Sequence, residues 1–312
     1  MFWNQKQGQA DASVAIYLDE QSYSLAVVDN NKQVVSSQYR TFKPGKDQAL
    51  IKLLLDDVER LNLVAHSCQL ILPPSQYQLI LMDAPDVPDA EMAQALKWNL
   101  KGLSDYDLDD VAMDVFLVPA HNVRDSKKAV VALTLLSALK HKCNLFESVF
   151  LDITRVSIAE MALKNLIHLI QTIKPPEKDL PVILISQCNA VYTLHLIYQN
   201  QLHLIRTLEL GLSTQSEAAD KLSRLLTELE RSIEYCTHQL NLPRPEQLFF
   251  TPDFHQIIPI FQGIEAELSL AVSIIDLTDY LNMSADLSLE EQANVFYGTI
   301  GALVFNQNEK TA

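Results

Sequence analysis

Glycine is scarce in this sequence: only seven of its 312 residues are glycine. Loops that bind phosphate bring backbone N–H groups close to the ligand, which usually takes glycine. The sequence has no GxGxxG segment and no Walker loop, and it also lacks GxSxG, the turn that carries the nucleophile of many serine hydrolases. The scarcity of glycine therefore argues against the common nucleotide-binding loops and against that class of hydrolase.

Cysteine and positive charge are also limited. The four cysteines stand alone, with no CxxC pair and no histidine at zinc-finger spacing. The sequence thus indicates neither a metal site nor a disulfide framework, and it favours a reducing compartment. Lys and Arg number 24 against 39 Asp and Glu, and the net charge of −15 disfavours nucleic acid and anionic lipid as partners. A basic peptide would suit this negative charge better as a partner.

Long apolar runs are missing as well. No run approaches the roughly 18 residues that cross a bilayer, and the first nine residues lack the apolar core of a signal peptide. We therefore expect no transmembrane segment, and a protein that is soluble or at most peripheral to a membrane. With 48% hydrophobic residues the chain can still build sizeable cores, and its length favours two domains facing a cleft.

Alternation of apolar and polar residues predicts two similar groups of three strands. The first group spans 14–42, with a turn at 29–33, and the second spans 182–210, with a turn at Gln199 and Asn200. Two copies of one unit within a chain predict two related domains.

Further elements follow from spacing. Apolar residues at helical intervals predict helices, and in the last of them Gly298 and Gly301 would allow close approach of a neighbouring element. The predicted helices are 47–61, 86–102, 139–150, 156–173, 218–236, 253–261 and 290–305, and the predicted additional strands are 68–72, 77–82, 111–118, 129–136, 247–251 and 271–275.

Two arrangements of potential metal ligands are better explained without a metal. With the turn at 199–200, His203 is expected to pair with Leu196 and His195 to point to the opposite face, so we interpret both as ordinary strand histidines. The alternating carboxylates of 105–109 begin like an EF-hand loop, but its sixth and twelfth positions hold neither the glycine nor the glutamate that such a loop requires. We expect a solvated acidic loop there.

Three stretches carry a resemblance to a known family. Residues 71–103, ILPPSQYQLILMDAPDVPDAEMAQALKWNLKGL, look like the strand, proline step and helix of an inserted subdomain, and Asp114 lies in the next strand. Later, IRTLELG, with Arg206 and Gly211, precedes LTELERSIEYC. In this order the stretches resemble the PilM-like actin-like ATPases of type IV pilus biogenesis, which are close to the cell-division actin FtsA, and most of all the branch that serves the mannose-sensitive haemagglutinin (MSHA) pilus. The type II secretion protein GspL is a more distant relative.

The resemblance implies an α/β, actin-like (ribonuclease H-like) two-domain fold with an inserted subdomain of the FtsA/PilM type. It divides the chain into the first domain at 1–72, the inserted subdomain at 73–150, a return helix at 151–178, the second domain at 179–292, and a C-terminal helix and tail at 293–312.

The sequence departs from the family at the nucleotide cleft. Where the family has an Asp-x-Gly turn for metal-bound phosphate, this chain has Tyr17 and Asp19; the second such turn is replaced by a segment with Ser186 and Gln187, and the adenosine-side Gly-Gly by Leu-Gly at Gly211. A side chain in place of glycine lies where phosphate would, and the lost carboxylates are those that hold metal and orient water. The resemblance with these losses predicts a pseudo-ATPase without cofactor; nucleotide binding with Mg²⁺, and a working ATPase, are the disfavoured alternatives.

The resemblance also implies a partner: the cytoplasmic N-terminal tail of a PilN-like (MshJ-type) inner-membrane protein. In the family the inserted subdomain and the first domain together form a groove for this tail. The resemblance places that groove beside 70–82 and 89–103, with contacts from Leu81, Asp83, Gln94, Trp98 and Lys101. Trp98 falls outside the apolar stripe of its helix, so it is either an anchor for the peptide or packed under the acidic loop.

The family context further implies a cytoplasmic protein that is peripheral to the inner membrane and a contact with the pilus assembly ATPase. Two other functions remain open: a GspL-like component of type II secretion, and a sugar kinase or phosphatase of the same architecture. The last would need a catalytic Asp beside an intact phosphate turn, and none is evident in the sequence.

Overall fold

The computed structural model describes residues 12–119, 127–188, 191–209, 218–283 and 285–305. These residues form three β-sheets with helices between and around them. The strands are β1 Ala12–Leu18, β2 Ser22–Asp29, β3 Gln33–Thr41, β4 Ser67–Leu72, β5 Gln78–Asp83, β6 Val111–Val118, β7 Lys128–Leu135, β8 Asp152–Ile158, β9 Val182–Cys188, β10 Val191–Tyr198, β11 Gln201–Leu208, β12 Gln247–Phe250, β13 Ala271–Ile274 and β14 Asn282–Met283. The helices are α1 Asp47–Arg60, α2 Asp89–Lys97, α3 Leu136–Ser148, α4 Ala159–Ile173, α5 Ala218–Glu234, α6 Phe261–Leu268 and α7 Leu289–Phe305.

The first lobe is built on a six-stranded sheet in the order β14-β3-β2-β1-β4-β8. Strands β1, β2 and β3 are the predicted antiparallel group. Strand β4 pairs with β1 in parallel, and β8 pairs with β4 in parallel. Alternate residues of β1 pack on either face of the sheet, so that both faces are covered.

The second lobe repeats this arrangement in a five-stranded sheet of order β11-β10-β9-β12-β13. The predicted hairpin is confirmed, but the register is not: the ladder shifts between Leu196 and Ile197, so that Leu196 faces Leu204 rather than His203. The ring nitrogens of His195 and His203 lie 3.3 and 3.1 Å from backbone carbonyl oxygens. Both are strand histidines with backbone partners, and burial lowers the pKa of His195 to about 4.

The inserted unit is a three-stranded antiparallel sheet of order β5-β7-β6. Helix α2, continued by a 3₁₀ turn over Trp98–Leu100, packs on one face of it through Met92, Leu96 and Leu100. Ile80 and Met82 of β5 pack against these residues. Because strand side chains alternate, Leu79 and Leu81 project from the other face.

Helices α4 and α7 pack against each other and join the lobes in one hydrophobic cluster that draws residues from both large sheets. The two glycines of α7 lie against the first lobe, as predicted. The Gly298 N–H donates to Ser24 Oγ at 3.1 Å, and a Cβ on Gly301 would come within 2.1 Å of the Ile71 side chain. A larger residue at Gly301 would therefore push α7 away from the sheet.

Several elements differ from the sequence predictions. Asp152–Ile158 forms β8, parallel to β4, where a helix beginning at residue 156 is predicted. The short helix predicted over 253–261 is a 3₁₀ helix, Pro252–Ile260. It leads into helix α6, which has no sequence prediction of its own, and the two-residue strand β14, which pairs with β3, has none either. Within the described part of the chain, no helix is both long and apolar enough to cross a membrane.

Candidate functional site

The ends of β1 and β9, one from each lobe, meet across the cleft. The Tyr17 hydroxyl and the Cys188 Sγ lie 2.8 Å apart and form a hydrogen bond that joins the two lobes. Burial raises the pKa of the Tyr17 phenol far above its ordinary value and that of the Cys188 thiol to about 11. Both groups are therefore neutral at physiological pH.

A second aromatic side chain, from α7, completes this contact. The rings of Tyr17 and Tyr297 stack with centroids 4.7 Å apart and an interplanar angle of 17°. Tyr297 is buried, which raises its pKa, and its hydroxyl is hydrogen-bonded to Ser186 of β9. Tyr17 is thus held between the end of β9 and helix α7, which packs against α4 in the cluster that joins the lobes.

The end of β12 supplies a further buried group beside β9. The Gln187 N–H donates to the Thr251 hydroxyl at 3.4 Å, and that hydroxyl donates to the Asp253 carboxylate. One Asp253 oxygen, Oδ2, is buried without a hydrogen-bond partner among the described residues. Burial raises the pKa of Asp253 to about 6.

The predicted cleft residues are thus brought together in part. Tyr17, Ser186 and Gln187 lie in one cluster, and Asp19 begins the turn after β1, where its carboxylate accepts the Glu20 N–H at 2.8 Å. Gly211 lies outside the described residues. Thr251, Asp253 and Tyr297 are additional members of the cluster that sequence reasoning did not assign to it, whereas Cys188 belongs to the segment 185–189 that replaces the family's second turn.

A metal-bound nucleotide does not fit this arrangement. The Tyr17 side chain joins the ends of β1 and β9 directly, since its hydroxyl lies 2.8 Å from the Cys188 Sγ. Neither turn contains a glycine, so backbone N–H groups are not brought close to a phosphate as in glycine-rich loops. The cluster can hold the lobes together through neutral side chains.

A groove of about 850 Å³ lies between the inserted unit and the second lobe. Its walls are strands β5 and β6 on one side and β10, β11 and the end of the α5 segment on the other, and it reaches Tyr77 and Glu160 of the first lobe. Its lining residues include Leu79, Leu81, Phe116, Val118, Lys128, Thr193, Leu202, His203, Leu204, Ile205 and Tyr235.

The structure divides the predicted partner-binding residues between two surfaces. Leu81 lines the groove and is 62% exposed, whereas Asp83 lies at the end of β5 in an ion pair with Lys128 at 2.6 Å. Gln94, Trp98 and Lys101 are exposed on the outer side of the α2 segment and do not line the groove. The five residues therefore lie on two surfaces rather than in one groove, because the three-stranded sheet separates the α2 face from the face of Leu81. Which of them contact a partner stays a prediction.

Trp98 itself is 83% exposed. The alternative prediction, that Trp98 packs under the acidic loop, is therefore wrong.

Comparison with solved structures identifies the architecture. A chain of a "PilM-PilN type IV pilus biogenesis complex" superposes with a TM-score of 0.67 and 15% identity, covering 96% of this chain and 99% of that one. A Bacteroides thetaiotaomicron protein with an actin-like ATPase fold and unknown function gives 0.54 and 12%, over 92% and 96% of the two chains. The cytoplasmic domain of EpsL, an inner-membrane component of the Vibrio cholerae type II secretion system, gives 0.50 and 12%, over 95% of each chain.

No protein-family model matches the sequence, and the search of curated proteins finds no match. At these identities the likeness to solved structures establishes the fold. The chain has the α/β actin-like fold, with two lobes facing a cleft.

Proposed function

We propose that this protein is a non-catalytic scaffold of type IV pilus assembly, which docks the cytoplasmic tail of a PilN-like inner-membrane protein. The pilus we propose is of the MSHA type, on the resemblance of residues 71–103 and 226–236. The protein then works in the cytoplasm at the inner-membrane surface, and a contact with the pilus assembly ATPase belongs to the same proposal.

One observation carries the non-catalytic part of the proposal: the Tyr17 hydroxyl bonds to Cys188 at 2.8 Å across the cleft. Hydrolysis on this fold needs a metal-bound phosphate between the two turns and carboxylates that position metal and water. Here the Tyr17 side chain reaches Cys188 directly, and neither turn carries the Asp-x-Gly pattern of the family.

The docking part rests on the groove and on the fold. The groove is open, largely apolar and bounded by strands of two separate sheets, features of sites that bind peptide segments. The likeness in fold extends over nearly the whole length of a chain from a complex named for PilM and PilN. With a net charge of −15, the protein attracts a basic tail, which would raise the association rate at low salt.

The test is a titration of the full chain with two synthetic peptides. One carries the residues that precede the transmembrane helix of the PilN-like protein from the same cell. The other carries the corresponding residues of an inner-membrane protein of the type II secretion system from that cell. Saturable binding of the first alone supports the proposal. Binding of the second peptide alone would instead indicate a type II secretion component. Binding of neither peptide would refute the proposed partner.

A further inference from the structure

A buried carboxylate lies at the floor of the groove. Glu160, in the first turn of α4, is 4% exposed, yet it lines the groove together with Tyr77. Its Oε2 accepts a hydrogen bond from the Tyr77 hydroxyl. The carboxylate is therefore withdrawn from bulk water but faces the space between the inserted unit and the second lobe.

This carboxylate has no cationic partner in the part of the chain that the structure describes: no Lys, Arg or His there forms an ion pair with it. Lys128, the lysine that lines the groove, is paired with Asp83 at 2.6 Å. Buried carboxylates in proteins are normally paired with a cation or bound to a metal, because removing the charge from water is costly. Glu160 accepts hydrogen bonds from the Tyr77 hydroxyl and from its own backbone N–H, and burial raises its pKa, but among the described residues it lacks the cation that usually pairs with such a carboxylate.

The walls of the groove indicate the shape of the ligand that would bring a cation to Glu160. Four consecutive residues of β11, Leu202 to Ile205, line the groove, although successive strand side chains point to opposite faces. The groove thus runs along the edge of β11, which pairs only with β10 in the described sheet. The edge of a sheet carries backbone N–H and C=O groups that no strand of that sheet pairs with, and an extended segment can bind to them.

Apolar side chains face this edge from the inserted unit. Leu79 and Leu81 of β5 and Phe116 and Val118 of β6 line the opposite wall, and Leu81 is 62% exposed. A segment lying along β11 would present alternate side chains to this wall, and burying them there removes apolar surface from water.

We propose that the groove binds an extended peptide segment along the edge of β11, with the cation of one lysine or arginine paired with Glu160 and apolar side chains packed against Leu79, Leu81 and Phe116. This inference rests on the proposed function, whose partner tail would be the segment. It goes further in naming Glu160 as the residue that selects a basic side chain at one position, in addition to the general attraction that an acidic protein exerts.

The experiment compares three proteins and a peptide series by isothermal titration at moderate salt. The proteins are wild type, Glu160→Gln and the control Glu91→Gln, which removes one charge from the exposed side of α2, away from the groove. The peptides are the tail of the PilN-like protein and versions in which each Lys or Arg in turn is changed to Gln. Truncating one member of a buried charge pair typically lowers affinity about 30-fold or more.

The expected result is a loss of about 30-fold for Glu160→Gln, a similar loss for one substituted peptide, and little further loss when the two are combined. Glu91→Gln should bind within about twofold of wild type. In the Glu160→Gln protein Tyr77 can still donate its hydroxyl proton to the new side-chain amide oxygen, and circular dichroism checks the fold.

If Glu160→Gln does not fold, the peptide series on wild type alone decides. Binding that no single Lys or Arg substitution weakens by more than about threefold overturns the inference while leaving the proposed docking intact. Failure of wild type to bind the unmodified tail overturns both.

Discussion

The hydrogen bond between Tyr17 and Cys188 gives a measurable prediction about how the lobes are held together. Tyr17→Phe keeps the ring and its stacking on Tyr297 but removes the hydroxyl that reaches Cys188. A neutral hydrogen bond contributes about 1 kcal/mol net to stability. We expect Tyr17→Phe to lower the free energy of unfolding by about 1 kcal/mol, and Tyr17→Ala, which also removes the buried ring, by about 3–5 kcal/mol.

The assay is urea unfolding followed by circular dichroism for wild type, Tyr17→Phe, Cys188→Ala and the double variant. Because the two groups contact each other, the double variant should be less destabilised than the sum of the single ones, by about 0.5–1.5 kcal/mol. Tyr39→Phe is the matched control, since Tyr39 is 42% exposed on β3, and it should remain within about 0.5 kcal/mol of wild type. Strictly additive single variants, or a Tyr17→Phe protein as stable as wild type, would show that the contact does not hold the lobes.

Three further predictions follow from the cleft and the groove. Wild type should release no phosphate from ATP with Mg²⁺, and neither should Tyr17→Asp, since the glycines and the second carboxylate are still missing; a saturable phosphate-release rate in either would contradict the reading of the turns. Asp253 has a folded pKa of about 6 against about 3.9 unfolded, so it adds stability below about pH 4 that is lost as pH rises through about 6. The stability of wild type relative to Asp253→Asn should therefore fall between about pH 4 and about pH 7, by up to about 3 kcal/mol, and a pH-independent difference in urea unfolding would refute it. Leu81→Asp should weaken binding of the tail peptide at least about tenfold while Trp98→Ala leaves it unchanged, because only Leu81 lines the groove; the reverse order in the same titration would move the site to α2.

The strands and most helices were predictable because their signals are local. Both three-strand groups appear where the alternation of apolar and polar residues places them, although strands such as β1 are covered on both faces. The same logic failed at β8, where Asp152–Ile158 runs directly into α4 without a turn residue to separate them. Pairing with β4 makes Asp152–Ile158 a strand. Such pairing joins residues far apart in the sequence, so it leaves no local sequence signal.

The cleft cluster was predictable only in part for the same reason. Tyr17 and Ser186 could be placed by matching each strand to a family turn. Thr251 and Asp253 follow a different strand, β12, and a signal for them existed: the carboxyl ends of neighbouring parallel strands meet at one edge of a sheet, and β12 is parallel to β9. Tyr297 comes from a helix far along the chain, and nothing in its sequence neighbourhood shows that it reaches Tyr17.

The groove could not have been located from sequence, because the sequence does not show which face of the β5 sheet borders the second lobe. In β5 a shift of one residue exchanges the α2 face for the groove face. Ile80 and Met82 belong to the α2 face and Leu81 to the groove. The sequence predicts both the strand and the helix, but the layer in which a third element lies follows only from how β5, β6 and β11 are placed in space.

The cleft and the groove share a boundary, which bears on how such a scaffold works. Glu160, which lines the groove together with Tyr77, also lies close to the cleft cluster: burial raises the pKa of Tyr297, and the nearby Glu160 adds to that effect. In a nucleotide-dependent protein of this fold, ligand in the cleft would set the relation of the lobes and hence the width of a groove between them. Here neutral side chains of the protein itself bridge the cleft. On the proposed function, the groove is therefore preformed, and partner binding should not depend on added nucleotide, because a ligand that binds neither state cannot shift their populations.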